Sequence, residues 1–350
     1  MKQIIKYAVI VCLAVFFIFF TAYLRAISQP VNPNGEDVIF TVAEGEGVKL
    51  IGLNLVDSGL INSKFWFEFY IWRTKNEKKI QAGEYILNPR YSIKKITSIL
   101  VGGEAISQER TIKIIEGWRI VDMANYFEKQ GMFSAEELLK LAGYPRVDYR
   151  VNREISNPRD YSSDFDFLAD KPVYYGLEGY LFPDTYRVFK DSTLDDIARK
   201  MLANFGVKLS EEMRAEIKKQ GKSIFEVVTM ASLLEKEVRS EEDMKIASGI
   251  FWNRIKAGQP LESCATLAYI LEQNKPQYSL EDTKIDSPYN TYLILGLPPG
   301  PISNPGLKAI RAAIYPKDTD YNYFLNRPDT GETVFSRTYE EHLRNKAKHL

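Results

Sequence analysis

The sequence predicts an α+β protein in three parts: an N-terminal transmembrane helix, a small α+β module, and a larger, mostly helical domain with short β-strands. Three observations lead there. Residues 7–24 form an uncharged run rich in Val, Ile and Phe. A strand, helix, helix, strand pattern follows within about 60 residues, enough for one small mixed layer. Beyond residue 193, apolar residues recur at helical spacing, and glycines separate the runs. The chain has 350 residues, and domains usually run ~100–200 residues, so two folded domains have room behind the first helix.

Composition removes several function classes. The 46 basic and 46 acidic residues cancel, so no bulk field draws in nucleic acid or an anionic surface. The only histidines, His342 and His349, lie near the C-terminus. No Cys/His spacing resembles a zinc site, and a nucleophile–histidine pair would have to recruit the last helix. Gly102-Gly103 reads as a turn and not a phosphate loop. Neither metal nor cofactor is expected. Cys12 sits in the apolar run and Cys264 far beyond it, so no intramolecular disulfide is expected.

In chain order, 1–6 read as a cytoplasmic N-terminus and 7–26 as the membrane helix. The eighteen residues 7–24 at ~1.5 Å each reach about 27 Å, close to the ~30 Å hydrocarbon core. The run exceeds a signal-peptide core and no small-x-small cleavage site follows Leu24, which favours a retained anchor. Lys2, Lys6 and the terminal amine outweigh Arg25, and Glu36, Asp37, Glu44 and Glu46 follow it. The positive-inside rule then places the following domains outside the cytoplasm. Residues 27–39, rich in Pro, Asn and Gly, read as a linker holding the next domain off the bilayer. The module spans 40–103. It has strands at 40–42 and 83–87, and helices at 47–58, 64–72 and 92–100.

The larger domain spans 104–350. A polar link at 102–110 leads into a strand at 111–115, and Glu116-Gly-Trp118 turns into a helix at 120–130. Ser134-Ala-Glu-Glu137 is a capping box opening another. Residues 148–171, charged and aromatic without period, read as a surface loop bordering a cleft. Helices follow at 193–205, 210–220, 223–239 and 241–257, with Gly206, Gly221 and Gly258 as stops. Asn304-Pro-Gly306 caps a helix running to Ile314. Residues 321–325 and 333–335 form a hairpin, and Thr338-Tyr-Glu-Glu341 opens the last helix. No internal repeat is evident.

Chemistry gathers on three stretches. In the 223–239 helix, Ile224, Val228, Ala231 and Val238 share one stripe, and Glu235 falls on that stripe between Val228 and Ala231. Lys236 and Glu237 lie further round, toward solvent. A carboxyl group in an apolar setting is pushed toward the protonated state, which is what a general acid needs. The alternative is a Glu235 that tips out over a cleft or pairs with an arginine. The second stretch is Gly176-Leu-Glu-Gly-Tyr-Leu-Phe-Pro-Asp-Thr-Tyr186, with Glu178 and Asp184 around an aromatic cluster. The third is Asp286-Ser-Pro-Tyr-Asn-Thr-Tyr-Leu-Ile-Leu-Gly-Leu-Pro-Pro-Gly-Pro-Ile302. Its prolines stiffen a loop that presents Asn290 and Tyr292.

Together, Ala231-Ser-Leu-Leu-Glu-Lys-Glu237, Leu177-Glu-Gly-Tyr-Leu-Phe-Pro-Asp-Thr-Tyr186, and Ser287-Pro-Tyr-Asn-Thr-Tyr292 with Gly296-Leu-Pro-Pro-Gly-Pro-Ile302 resemble the endolytic murein transglycosylase family, MltG or YceG-like. The small module likewise resembles a LysM-like domain, a glycan-binding fold. The resemblance covers about residues 40 to 348 and implies a lyase that cuts the β-1,4 bond between N-acetylmuramic acid and N-acetylglucosamine in peptidoglycan, leaving a 1,6-anhydro end. It makes Glu235 the catalytic residue. Glu178, Asn290 and Tyr292 become candidates for binding sugar hydroxyls and N-acetyl groups. The implied partners are peptidoglycan strands, the membrane and peptidoglycan synthases. At Cys264-Ala265 many family members carry Asp-Pro, a departure that touches substrate contacts and not the catalytic assignment. Two alternatives stand beside this reading. One is a lysozyme-like hydrolase using Glu178 or Asp184 as second carboxylate. The other is a membrane-tethered, non-catalytic peptidoglycan-binding scaffold.

Overall fold

The computed structural model describes residues 2–103, 109–152, 154–273, 275 and 277–349. Among these, thirteen α-helices and six short strands establish the α+β class. The chain divides into two compact units, Met1–Arg110 and Thr111–Leu350. Most of the expected polar link, residues 104–108, and the expected boundary at 103/104 fall on or beside residues outside those described.

The first unit contains α1 (Lys2–Ser28), β1 (Val38–Val42), α2 (Val48–Asp57), α3 (Lys64–Thr74), β2 (Gly83–Leu87) and α4 (Ile93–Gly102). β1 and β2 pair antiparallel with Phe40 opposite Tyr85. Strand alternation sends Phe40, Val42, Tyr85 and Leu87 inward, where they meet Ile51 and Leu55 of α2, Phe67 and Ile71 of α3, and Ile96 and Leu100 of α4. Ser63 and Ser92 cap α3 and α4 by accepting from the N–H of Trp66 and Lys95.

α1 from Val9 to Ser28 is long and apolar enough to cross a bilayer. Its far end behaves differently from the expected linker. The helix continues to Ser28, and Tyr23 and Ile27, one turn apart on the same face, are buried in the module's core. Val31 and Asn32 then donate to the Pro89 carbonyl at 3.0 and 3.1 Å. The module therefore sits on the end of α1 and is not held away from it.

β3 (Glu109–Lys113) runs across the division, and the second unit goes on through α5 (Ile120–Lys129), α6 (Ala135–Ala142), β4 (Thr185–Phe189), α7 (Leu194–Lys208) and α8 (Glu211–Lys219), and centres on α9 (Ile224–Glu237). α10 (Glu241–Lys256), α11 (Cys264–Leu271), α12 (Leu307–Ile314), a β5–β6 hairpin (Tyr323–Asn326 and Thr333–Ser336) and α13 (Tyr339–His349) complete it. β3 pairs with β4 in a two-stranded sheet. α9 packs against α8, α10, α11 and α12, and every residue from 227 to 234 is buried. A helix enclosed on all sides has no polar face to display, so the one-sided stripe read from sequence describes only part of its contacts.

Three expectations are corrected here. α7 runs through Gly206 to Lys208, because that glycine lies against the Phe167 ring, where a Cβ would come within 3.0 Å. α9 ends at Glu237 and not Arg239, since Val238 turns to extended geometry (φ −138°, ψ 145°). Residues 148–171 are more than a surface loop. Tyr161, Phe167 and Leu168 are core residues, and the Asp170 carboxylate accepts from the N–H groups of Ile224 and Phe225 at the start of α9. β4 and α11 were not anticipated; each is short, eight residues or fewer, and the periodicity of so brief a run is weak.

Candidate active site

α9 is fixed at its start and released at its end. Ser223 and Glu226 form a capping box, with Ser223 N–H to Glu226 Oε2 at 2.8 Å and Glu226 N–H to Ser223 Oγ at 3.0 Å. Inside, Ser232 Oγ donates to the Thr229 carbonyl at 2.7 Å and accepts from Ile302 N–H at 3.0 Å, which straps the proline-rich loop along the helix. At the far end the chain leaves the packed interior, and Glu235 stands there half-buried.

Glu235 Oε2 accepts the N–H of Gly306 at 2.9 Å. Gly306 is the N-cap of α12, so the carboxyl group faces a helix start. The Glu116 side chain lies against Gly306, where an added Cβ would fall 2.1 Å from its Oε1 and push the carboxyl group aside. Two carboxyl groups thus converge on one glycine. Burial is the main influence on Glu235 and raises its pKa. The Gly306 bond opposes the rise, Glu116 adds to it, and the fields of Lys236 and Lys308 oppose it; the net shift is upward. Lys236 directs its Nζ to the Gly117 carbonyl at 3.4 Å. Among the described residues no arginine bonds to Glu235, so the pairing that the sequence left open is not the arrangement found.

The floor beneath is held by Asn304, which is wholly buried. Its Oδ1 accepts from Gly179 and Leu181 N–H, both at 3.0 Å, and its Nδ2 donates to the Trp118 carbonyl at 2.9 Å and to Glu178 Oε1 at 2.8 Å. Its backbone pairs with Gly117 and Trp118. One amide therefore ties together the 116–118 turn, the 178–181 turn and the loop leading into α12. Gly179 makes the second turn possible: its φ is +91°, and a Cβ would press within 2.7 Å of Pro301 and Val228.

Glu178 lies inside this brace. Besides Asn304, its carboxylate accepts the Ile120 N–H at 3.0 Å, which caps α5. Burial pushes its pKa up to about 8, against the pull of Ile120 N–H, Arg119 and Asn304. Asn290 is equally enclosed, with its amide donating to Thr283 and Ile285 carbonyls (3.0 and 2.8 Å) and its Oδ1 accepting from Tyr292 N–H (3.0 Å). Tyr292 is half-buried and its hydroxyl meets Cys264 Sγ at 3.2 Å. Asp184 bonds to Asn204 at 3.0 Å and pairs with Lys208 at 3.6 Å.

Tyr292 belongs with Glu237, two residues past Glu235 and about 200° round the helix. Glu237 was expected to meet solvent. Its carboxylate instead accepts from Ser263 Oγ and from Ala265 N–H at 3.0 Å, capping α11. The structure thus brings Glu235 and Glu178 to the two ends of the Asn304 brace, and gathers Asn290 and Tyr292 into the loop packed beside α11. Glu116, Asn304 and Gly306 escaped the sequence reading. Glu116-Gly-Trp118 and Asn304-Pro-Gly306 were visible only as turn and cap signals.

A cleft opens beside the exit of α9, lined by Arg119, Asp122, Lys236, Tyr269, Glu272 and Ile302. It begins one residue on from Glu235. A second hollow lies among Ile120, Tyr144, Tyr175, Glu178, Tyr289 and Pro301. Charged side chains line the first and tyrosine rings the second.

Fold and site together define an α+β protein that carries a partly enclosed carboxylic acid at the end of a central helix. The YceG-like family profile matches residues 40–348. An endolytic murein transglycosylase of Bacillus subtilis (strain 168) is 31% identical over 330 residues, covering 94% of this chain and 89% of that protein. One from Streptococcus pneumoniae serotype 2 (strain D39 / NCTC 7466) is 32% identical over 336 residues, covering 92% of this chain but only 60% of the longer streptococcal protein. A crystal structure of a protein described as YceG-like, from Listeria monocytogenes, superposes with a TM-score of 0.56 at 30% identity, covering 89% of this chain and all of that one. This chain belongs to the YceG-like family.

Proposed function

We propose that this protein is an endolytic murein transglycosylase, a lyase that cuts the β-1,4 bond between N-acetylmuramic acid and N-acetylglucosamine within peptidoglycan strands. The observation that carries the reading is Glu235: half-exposed, held by one backbone N–H, and raised in pKa by burial. In its protonated form it donates to the glycosidic oxygen as the bond breaks. The resulting carboxylate takes the proton from the muramic C6 hydroxyl, which closes on C1 to give the 1,6-anhydro end. An internal hydroxyl supplies the nucleophile, so a second catalytic carboxylate is not needed. Glu178 and Asn290, committed to buried bonds, act on this reading by positioning the loops, and Tyr292 borders the substrate on the α11 side.

The same proposal covers the rest of the chain. α1 is a single-pass anchor in the cell membrane with its N-terminus in the cytoplasm. Residues 40–103 of the first unit are the LysM-like module, and the second unit carries catalysis outside the cytoplasm, beside peptidoglycan synthases. The test uses purified glycan strands. Glu235→Gln is expected to abolish cleavage while circular dichroism and glycan binding stay unchanged, and unchanged cleavage would sink the assignment. Mass spectrometry of wild-type products separates the chemistries, since an anhydro end lacks the water that hydrolysis adds.

A further inference from the structure

α3 is apolar on two sides. Phe67 and Ile71 enter the core of the first unit, whereas Phe65 and Trp72 are 58% and 66% exposed. Phe65, Phe69 and Trp72 fall four and three residues apart, on one stripe of the helix. Their rings follow one another along it, Phe65 to Phe69 at 6.2 Å and Phe69 to Trp72 at 5.8 Å. Exposed Arg73, Lys75, Lys78 and Lys79 continue from the end of the stripe. Phe69 is partly covered, but Phe65 and Trp72 on either side of it stand open to solvent, and exposed rings of this kind mark a contact surface.

The packing of α1 says what covers it. Phe19 of α1 meets Trp66 and Phe69 at 5.2 and 5.7 Å, and Tyr23 meets the same two rings at 5.9 and 5.2 Å. Phe19 lies inside the apolar span Val9–Ser28. If all of α3 stayed in water, only residues 7–18 would remain to cross the bilayer, about 18 Å of helix against a core of ~30 Å. That is too short. For α1 to cross, Phe19 must lie below the membrane surface, and the rings packed on it must share its depth.

We propose that α3 is seated in the interfacial layer of the bilayer that α1 crosses, with Phe65, Phe69 and Trp72 between lipid headgroups and upper acyl chains. This rests on the reading of α1 as an anchor. Tryptophan and other amphipathic rings favour that layer, and Arg73, Lys75, Lys78 and Lys79 stand where anionic headgroups attract them. The first unit is then partly immersed, with α1 and α3 forming one membrane-contacting surface.

The chain has four tryptophans, Trp66, Trp72, Trp118 and Trp252. Full-length protein carrying Trp66→Phe, Trp118→Phe and Trp252→Phe reports from Trp72 alone. It is reconstituted into vesicles of zwitterionic and anionic phospholipid brominated at shallow acyl positions. Flotation with the vesicles and resistance to alkaline extraction establish the anchor first. Trp72 should then lose on the order of half its emission and shift to shorter wavelength, as an interfacial ring does. Protein bearing Trp66→Phe and Trp72→Phe should be far less quenched. If the triple variant misfolds by circular dichroism, the substitute compares Trp66→Phe with Trp66→Phe/Trp72→Ala, because Trp66 packs on Phe19 and shares its depth; adding Trp72→Ala should remove most of the quenchable emission that remains. Protein that floats while Trp72 stays unquenched overturns the inference, assigns the stripe to a protein partner and leaves the anchor standing. Protein that does not float overturns the anchor and the inference with it.

Discussion

Glu235 and Glu116 approach Gly306 from different elements, and the Glu116 charge adds to the upward push that burial gives the Glu235 pKa. Removing the Glu116 charge therefore lowers the Glu235 pKa. In Glu116→Gln the decline of cleavage rate with rising pH should begin at lower pH than in the wild type, with the acid side little changed. A pH–rate profile that does not move would show that Glu116 has no hold on the acid. Glu178 offers a stability counterpart. Its folded pKa of about 8 lies above the ordinary 4.5, so between those values the native state keeps a proton that the unfolded chain releases. Stability from this group is therefore greatest below the lower value and declines through the upper one, by roughly a few kcal/mol in all. Urea midpoints measured at about pH 5 and about pH 8 should fall less in Glu178→Gln than in the wild type. Equal slopes would refute the buried-acid assignment.

At the scale of elements, the site is assembled by caps. Asp170 and Ser223 start α9, Glu178 starts α5, Glu237 starts α11 and Gly306 starts α12. The Asn304 amide links three of the segments between them. Asn304→Ala leaves the N–H groups of Gly179 and Leu181 buried without a partner, at a cost of ~3 kcal/mol or more. Its denaturation midpoint should drop accordingly, and cleavage should fall with it because Gly306 loses its register against Glu235. A midpoint within error of the wild type would mean that water replaces the amide. These links also mark the limit of what could be read from the chain. The capping box at Ser134 rests on residues three apart and is legible, whereas the one at Ser223 emerged from the structure. Glu178 reaching Ile120, or Asn304 reaching Gly179, joins residues 58 and 125 positions apart, and no local pattern announces such a bond.

For the whole molecule, the long and strongly periodic segments were the readable ones. The membrane-length helix, the strand–helix–helix–strand order of the first unit and the helical succession around α9 follow from apolar spacing. The partly buried setting of Glu235 was legible because a carboxylate in an apolar run conflicts with packing. Glu116 and Glu237 were not, since nothing local separates a charged residue facing water from one folded back onto another element. The place of α1 was half legible. Its length was plain, but the burial of Tyr23 and Ile27 depends on partners far along the chain.

α9 has no solvent-facing side over residues 227–234, and this fixes how the protein should respond to heat. Amides in that segment can exchange with deuterated water only when the surrounding helices separate, which is close to complete unfolding of the second unit. Cleavage should therefore persist up to the melting transition and vanish within it, because the acid rides on the last rod to loosen.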